Sequence, residues 1–319
     1  MADTPTGAEV LEFFTTLSNW GRWGADDQLG TINLIDEAHR VAAAGLVRSG
    51  RVVSLSHPLD AANPDVFGRN SIFQRFMVKT GEPHRPADPW TSDERLRFQA
   101  TRDFVGVVAH GSHTHVDALS HAIWDGRMYN GVPATAVTAV DGATALGVDV
   151  WRTGVQTRGV LLDIAGLRGV DFLDVGEGVF PADLEAAERA QGVRVGAGDA
   201  IIVHTGNLAR VRAQGLDAHR GQSGYHAACL PWLRERDVAV VGSDSDNDVK
   251  PSGYADPDLY VPVHAVGMVA MGLCLVDNLA LPDLVAQCRS TNRWDFLFVL
   301  QNLRIVGGTS SLVNPVAMF

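Results

Sequence analysis

The sequence has 319 residues, of which 46% are hydrophobic and 20% charged, a composition typical of a globular protein with a sizeable core. Its formal net charge of −11 argues against a broad nucleic-acid surface, because such surfaces need clustered lysine and arginine. The N-terminal residues lack a basic region followed by an apolar core, so we expect no secretory signal, and no apolar stretch is long enough to span a bilayer. Its three cysteines form no CxxC pair, which fits reduced thiols. We therefore expect a cytoplasmic protein that acts on a small molecule, with neither nucleic acid nor a membrane as its partner.

The first elements predicted along the chain are helical. Apolar residues at helical spacing predict a helix over Ala8–Leu17, and two large aromatics, Trp20 and Trp23, follow it in a loop. Asp36 is typical of an N-cap and predicts a second helix that continues to Val47. Alternating or wholly apolar segments then predict strands at Val52–Leu55, Ile72–Val78, Leu96–Ala100 and Phe104–Ala109.

The second half alternates strands and helices more regularly. Strands are predicted at Gly159–Ile164, Ala200–His204, Val238–Val241, Leu273–Val276, Phe296–Leu300 and Leu303–Val306. Helices are predicted at Ala182–Gln191, Gly206–Gln214, Tyr225–Glu235, Val263–Met271 and Pro282–Cys288. This alternation predicts an α/β fold. We expect a single domain with a mixed β-sheet and flanking helices over residues 51–319, preceded by an N-terminal helical arm over residues 1–50.

Four of the eleven histidines lie within twelve residues: His110, His113, His115 and His121, with Asp117 among them. The cluster begins where a predicted strand leaves the core. In extended backbone alternate side chains share a face, which would bring His113, His115 and Asp117 together. A single histidine is more often a surface residue or a hydrogen-bonded core residue. At this density, however, imidazole nitrogens and a carboxylate predict a site for a divalent metal, with zinc or manganese expected.

The segment Thr114–His121 resembles the THxDxxxH core of the cyclase family of metal-dependent hydrolases, which includes bacterial kynurenine formamidase and isatin hydrolase. The resemblance continues at Trp23–Asn33, at Val263–Val266 with Val276–Leu279, and at Gly307–Pro315. It implies the swivelling β/β/α fold of kynurenine formamidase, a divalent metal cofactor, and a homodimer or homotetramer with sites close to subunit contacts.

The resemblance also implies the metal ligands His115, Asp117 and one further histidine. The family motif HxGTHxDxPxH has its first histidine where this sequence has Gly111, so the missing ligand is either His110 or His113. We favour His110 because it sits directly at the strand end.

A second ion position is implied between Asp117, His264 and Asp277. The better-known family members carry glutamate where this sequence has Asp277, and the aspartate carboxylate is retracted by one methylene.

These ligands imply a hydrolase in which metal-activated water attacks an amide, lactam or lactone carbon. His121 and Asp277 are then the expected catalytic residues, with His121 moving a proton. The alternative for His121 is a residue that only orients a ligand. A lyase, dehydratase or isomerase on the same scaffold, or a binding protein that has lost its metal, would share these residues.

Four residues are candidate substrate contacts: Trp23, His113, His204 and Asp244. Trp23 would close an apolar pocket. His204 and Asp244 lie at the carboxyl ends of predicted strands, where sites are commonly built. The alternatives are a hydrogen-bonded strand end for His204 and a solvated turn for Asp244. The aromatic residues of the arm also predict a contact with a neighbouring subunit, with packing against the same chain as the alternative.

Overall fold

The structure, a computed structural model, describes residues 4–63, 65, 67, 71–81, 100–215 and 221–319. The strand predicted at Leu96–Ala100 lies outside the described residues except for Ala100. The described strands are β1 (Val52–Ser54), β2 (Phe73–Lys79), β3 (Arg102–Val107), β4 (His115–Asp117), β5 (Val137–Thr138), β6 (Gly142–Ala143), β7 (Val155–Asp163), β8 (Gly178–Val179), β9 (Ala200–His204), β10 (Gly224–Tyr225), β11 (Val240–Ser243), β12 (Cys274–Asp277), β13 (Asp295–Leu300), β14 (Ser310–Leu312) and β15 (Val316–Met318).

The α-helices of the described residues are α1 (Gly7–Thr16), α2 (Glu37–Ala44), α3 (Ile164–Leu167), α4 (Pro181–Gln191), α5 (Asn207–Gln214), α6 (Cys229–Glu235), α7 (Pro262–His264) and α8 (Pro282–Thr291). Short 3₁₀ turns lie at Gly30–Leu34, Tyr129–Gly131, Ala134–Ala136, Val148–Val150 and Pro257–Leu259, and a π-helix spans Ala265–Ala270. None of the described helices has the length and apolar character needed to cross a membrane.

Nine strands form one mixed sheet in the order β1-β15-β13-β7-β9-β11-β12-β4-β14. The four central strands, β7, β9, β11 and β12, run parallel, and antiparallel strands flank them on both sides. Parallel strands are buried on both faces, which explains why β11 and β12 are wholly buried. The predicted single-domain α/β fold with a mixed β-sheet and flanking helices is confirmed.

Alternate residues of the central strands enter two hydrophobic cores. On β9, Ile202 packs into one core with helix α8, whereas Ile201 and Val203 pack into the other with helices α4 and α6. This alternation follows from the two-residue period of a strand. Helices therefore pack on both faces of the sheet, and this packing fixes the positions of the strand ends.

Several predicted elements begin or end elsewhere. Residues Leu303–Val306 form no strand, and the chain ending instead supplies β14 and β15. The helix predicted from Tyr225 starts only at Cys229, because Gly224–Tyr225 pairs with β8. The helix predicted over Val263–Met271 is the short α7 continued by the π-helix. Tyr225 suits a helix and a strand alike, so periodicity alone does not decide which of the two it joins.

The N-terminal residues pack against their own chain. Thr6 caps helix α1 through a capping box with Glu9, and Val10 is fully buried in the core beneath the π-helix. The Phe14 ring stacks on Trp124 with centroids 4.2 Å apart. Asp36 caps helix α2 as predicted, accepting the backbone N–H of His39.

Candidate metal centre

The cluster is built where strands β4 and β12 pair. His115 opens β4 and lies opposite Asp277, the last residue of β12. His115 and Asp117 share one face of β4, while Val116 between them points into the hydrophobic core. Asp277 lies at the carboxyl end of the parallel strands, the edge at which open α/β sheets commonly build their sites.

A turn at Gly111 brings His110 to the same place. Gly111 has a φ of 128°, and a side chain at this position would collide with Ser71. Glycine is therefore required for this turn. His110 Nδ1 lies 3.0 Å from Oδ1 of Asp117, so the predicted alternative that uses His110 places a third donor atom in the cluster.

Asp117 is the centre of the arrangement. Its Oδ1 lies 3.6 Å from His115 Nε2, and its Oδ2 lies 3.5 Å from His264 Nε2. Asp277 Oδ2 is 3.6 Å from His115 Nε2 and 3.5 Å from His264 Nε2. Two overlapping groups result, each with donor atoms within 4.8 Å of one another and both including Asp117: His110 with His115, and His264 with Asp277.

Each imidazole is held by one nitrogen and faces the carboxylates with the other. His115 Nδ1 donates to the carbonyl oxygen of His113 at 2.6 Å, which leaves a lone pair on Nε2. His264 Nδ1 lies 2.6 Å from a carboxylate oxygen of Asp248, and His110 Nε2 lies 3.1 Å from the hydroxyl of Thr309. Histidines that bind metal are oriented in this way by their second nitrogen.

The electrostatics of the cluster favour bound positive charge. Burial opposes ionisation of Asp117, but the nearby imidazoles of His121, His110 and His264 outweigh it and hold the pKa of Asp117 well below its usual range. Burial also opposes a charge on His264. The carboxylates of Asp277, Asp117 and Asp248 overcome that effect and raise the pKa of His264 well above its usual range.

The donor set fits a divalent metal. Both carboxylate oxygens of Asp117 and Nδ1 of His110 are buried without a hydrogen-bond partner among the described residues. An ionised carboxylate buried without such partners is costly unless a cation compensates it. Imidazole nitrogen with carboxylate oxygen is the ligand chemistry of zinc and manganese. The expected ligands of one ion are His110, His115 and Asp117, and those of a second are Asp117, His264 and Asp277.

His121 connects the cluster to an open cavity. Its Nε2 is 4.0 Å from Asp117 Oδ2, and its ring stacks on His110 at 3.9 Å. Burial lowers the pKa of His121, so the ring is neutral at neutral pH. The cavity has a volume of about 730 Å³ and is lined by His121, Ala122, Ile123, Trp124, Asp125, Asp258, Tyr260, Val261, His264 and Ala265. Cavities of this size bind small molecules.

The remaining predicted substrate contacts lie elsewhere. His113 is 5% exposed and packs edge-on against Phe73, outside both groups of donor atoms. Trp23 is half-buried beneath the guanidinium of Arg22 and does not line the cavity. Trp124 provides the large aromatic surface there, supported from behind by Phe14.

His204 and Asp244 are also placed apart from the cavity lining. His204 is bonded to Asp163 at 2.8 Å. Asp244 is buried, and its oxygens accept the backbone N–H groups of Thr205, Gly206 and Asn207. Asp244 therefore closes the turn into helix α5 and is not a solvated turn residue.

Three residues that position the ligands were not predicted from the sequence. Asp248 binds His264, Asn247 donates to Asp277 Oδ1 at 2.6 Å, and Thr309 binds His110. Thr309 lies in the segment Gly307–Pro315 that resembles the family, and Asn247 and Asp248 lie shortly after the predicted substrate contact Asp244. Trp124 follows His121 by three residues, and only the fold shows that it lines the cavity.

Comparisons with known proteins bear on the family and the fold. The family model Cyclase, described as "putative cyclase", matches residues 53–247. A crystal structure described as a novel cyclase shares 31% identity over 95% of this chain and 100% of its own, with a TM-score of 0.82. Isatin hydrolase A from Labrenzia aggregata, bound to benzyl benzoate, shares 17% identity over 88% of this chain and 98% of its own, with a TM-score of 0.56.

Isatin hydrolase A from Ralstonia solanacearum gives the same TM-score of 0.56, with 20% identity over 89% of this chain and 97% of its own. At these identities the likeness to the isatin hydrolases shows a shared fold. The comparison with curated proteins gave no match. The family model spans more than half of the chain, and the 31% identical structure matches nearly all of it. The chain therefore belongs to the cyclase family.

Proposed function

We propose that the protein is a metal-dependent hydrolase that cleaves an amide, lactam or lactone bond of a small cyclic or aromatic substrate. One observation carries the proposal: three imidazoles and the Asp277 carboxylate each have one polar atom bonded to the fold and another aimed at a shared space, which the two unpaired oxygens of Asp117 also face. A divalent metal held there would supply Lewis acidity and lower the pKa of a bound water.

The residues around that space have separate tasks. Asp248 and Asn247 fix His264 and Asp277, so the donor atoms need little rearrangement. His121 stands between the cluster and the cavity as a neutral ring, able to accept or donate a proton at Nε2. We propose His121 as the acid–base residue of the reaction. Asp277, which faces two of the histidines, is proposed to act in the same reaction.

The cavity lining supports an apolar, ring-shaped substrate. Ile123, Trp124 and Val261 offer apolar surface, and Tyr260 is exposed at 66%. Aromatic side chains contribute large contact area and favour stacked or edge-on rings. The isatin hydrolases that share the fold act, by their names, on isatin. A neutral aromatic lactam or lactone suits this lining.

Metal analysis and activity tests together decide the proposal. Purified protein is expected to carry a divalent metal, and Asp117→Ala to lose it, because Asp117 belongs to both groups of donor atoms. Activity would be measured on N-formyl, lactam and lactone substrates before and after chelation. A metal-free native protein, or a fully active Asp117→Ala variant, would contradict the proposal. Bound metal without hydrolysis, but with elimination or isomerisation of related compounds, would indicate a lyase or isomerase.

We also propose that the protein is a homo-oligomer. The two-stranded ribbon of β2 and β3 exposes large apolar side chains: Phe76, Met77, Val78, Phe104 and Val105. An isolated two-stranded ribbon with this surface needs a covering partner for stability. Light scattering should give at least a dimer. A monomer at micromolar concentration would remove this proposal and leave the ribbon exposed.

A further inference from the structure

A second cavity, far along the sheet from the metal ligands, has an unusual charge. It has a volume of about 500 Å³ and lies where the chain leaves helices α2, α4 and α8. Among the residues that the structure describes, its lining contains four arginines and a single carboxylate, Asp295, in a protein whose net charge is −11. The charged lining residues are Arg48, Arg158, Arg194, Arg293 and Asp295, and Trp294 lies among them.

Two of the four arginines, Arg158 and Arg293, already form hydrogen bonds within the protein. Arg158 donates to Asp199 at 3.0 Å, to Asp295 at 3.1 Å and to the carbonyl of Arg194 at 3.0 Å, so it already has its partners. Arg293 donates through Nη2 to the carbonyl of Leu46 at 2.9 Å. The remaining N–H groups of Arg293 have no partner among the described residues.

The guanidinium groups of the other two arginines have no partner among the described residues. Arg48 and Arg194 are exposed, and neither guanidinium group forms a hydrogen bond or an ion pair with any residue that the structure describes. Acidic residues outnumber basic ones in the chain, 37 to 26, so acidic partners are plentiful elsewhere. The one carboxylate of the lining is already bonded to Arg158. Two free guanidinium forks therefore face a shared cavity with uncompensated positive charge.

We infer that this cavity binds a compact polyanion, a small molecule carrying two adjacent phosphate groups. A guanidinium presents five N–H donors in a fixed fork that matches phosphate oxygens two at a time. A diphosphate offers acceptors in several directions, so Arg48, Arg194 and Arg293 can each engage it. The low overall basicity of the chain excludes a broad phosphate-binding surface, and this site is instead a local concentration of charge. It does not depend on the reaction proposed for the metal centre.

An alternative role for the arginines makes a different prediction. The C-terminus of a helix carries about half a negative charge, so the arginines that follow α4 and α8 could serve only to neutralise the helix ends. In that case, replacing them would lower the melting temperature of the protein, and no polyanion would bind. Binding measured directly separates the two roles.

The test is calorimetric titration of the metal-loaded protein with inorganic pyrophosphate at constant ionic strength. Arg48→Gln and Arg194→Gln are each expected to weaken binding about tenfold, because each removes charged hydrogen bonds to the anion. Arg189→Gln is the matched control. Arg189 lies in the last turn of helix α4, shortly before Arg194. It pairs with Glu185 on the surface and does not line the cavity, so its replacement should leave binding unchanged.

Pyrophosphate is also a metal ligand, so the titration is repeated on Asp117→Ala. Binding that survives in Asp117→Ala and weakens in the arginine variants supports the inference. Binding lost in Asp117→Ala but kept in both arginine variants would place the anion at the metal centre and overturn it. Absence of binding to the native protein would overturn it as well. Melting curves of every variant show that the protein is folded during the titration.

Discussion

His264 and His110 both direct a nitrogen at Asp117, yet the fold holds the two rings differently. The His264 side chain is 13% exposed, and its other nitrogen lies 2.6 Å from Asp248, a carboxylate that is itself buried. Asp248 also accepts the backbone N–H groups of Val263 and His264, so ring and backbone are fixed together. The His110 side chain is 29% exposed and is fixed by one hydroxyl, that of Thr309.

The difference separates a preorganised half of the cluster from an adjustable half. The half with His264 and Asp277 is set by the buried residues Asn247 and Asp248, so its geometry is fixed before any ion binds. The half with His110 comes from a loop that turns at Gly111, and the ring also stacks on His121, which lines the cavity. We expect the buried half to set metal affinity and the loop half to respond to the substrate.

The largest effect is expected when a donor atom is removed from the adjustable half. His110→Ala should lose metal from the position shared with His115 and Asp117, because a donor nitrogen disappears. His113→Ala should keep its metal, since the His113 ring lies outside both groups of donor atoms. Elemental analysis of the two purified variants compares them. Loss of metal only from the His113 variant would reverse the assignment of the ligand.

The next largest effect is expected from the residue that orients His264. Asp248→Asn replaces a carboxylate that accepts three hydrogen bonds, and metal affinity should fall about 10- to 100-fold, the usual effect of losing such a partner. Affinity would be measured by competition with a chromogenic chelator. Asp256→Asn provides the control, because it removes the same charge from an N-cap outside the cluster. Equal affinity in the two variants would show that Asp248 serves only the backbone of α7.

A smaller effect is expected from the hydroxyl that holds His110. Thr309→Val keeps the shape of the side chain but removes the bond to Nε2, and metal affinity should fall about 2- to 10-fold, as for one neutral hydrogen bond. Thr309→Ser retains the hydroxyl and should behave like the native protein. If the valine variant weakens metal binding as much as Asp248→Asn, the two halves are equally preorganised and the comparison fails.

Sequence patterns predict those parts of the cluster that lie on regular strands. Alternation along β4 places His115 and Asp117 on one face, and the family motifs bring in His264 and Asp277. The same patterns do not separate Asp244 from Asp248, because both lie in an irregular acidic loop that turns at Asn247 with a positive φ of 61°. No period governs side-chain direction in such a loop.

The arm illustrates the same limit. Its helices and the Asp36 cap follow from spacing and residue type, but the aromatic residue that reaches the cavity lining is identified only through a tertiary contact, Phe14 on Trp124. A stretch of sequence that is rich in aromatics indicates burial without indicating the partner surface.

The smallest effect on metal binding is expected at a histidine whose two nitrogens both face carboxylates. His204 Nδ1 lies 2.8 Å from Asp163, and Nε2 lies 3.9 Å from Asp244. Burial opposes a charge on His204, but the bond with Asp163 and the field of Asp244 outweigh burial and raise the pKa of His204. At His204 a bound proton compensates the negative charge of the carboxylates, as we propose that a metal does in the cluster. His204→Asn should therefore destabilise the fold without changing metal content.

The pH dependence of that change follows from the direction of the shift. A ring whose pKa is raised by folding stabilises the folded state fully below its unfolded pKa, and this contribution disappears as the pH rises through the folded value. His204→Asn should lower the free energy of unfolding by about 1–3 kcal/mol at pH 6 and by less at pH 9. Urea unfolding with chelator present would measure it. His39→Asn is the control, because its ion pair with Asp36 is exposed and contributes little. A loss at His204 that is the same at both pH values would mean that packing, and not the charged pair, stabilises this end of the sheet.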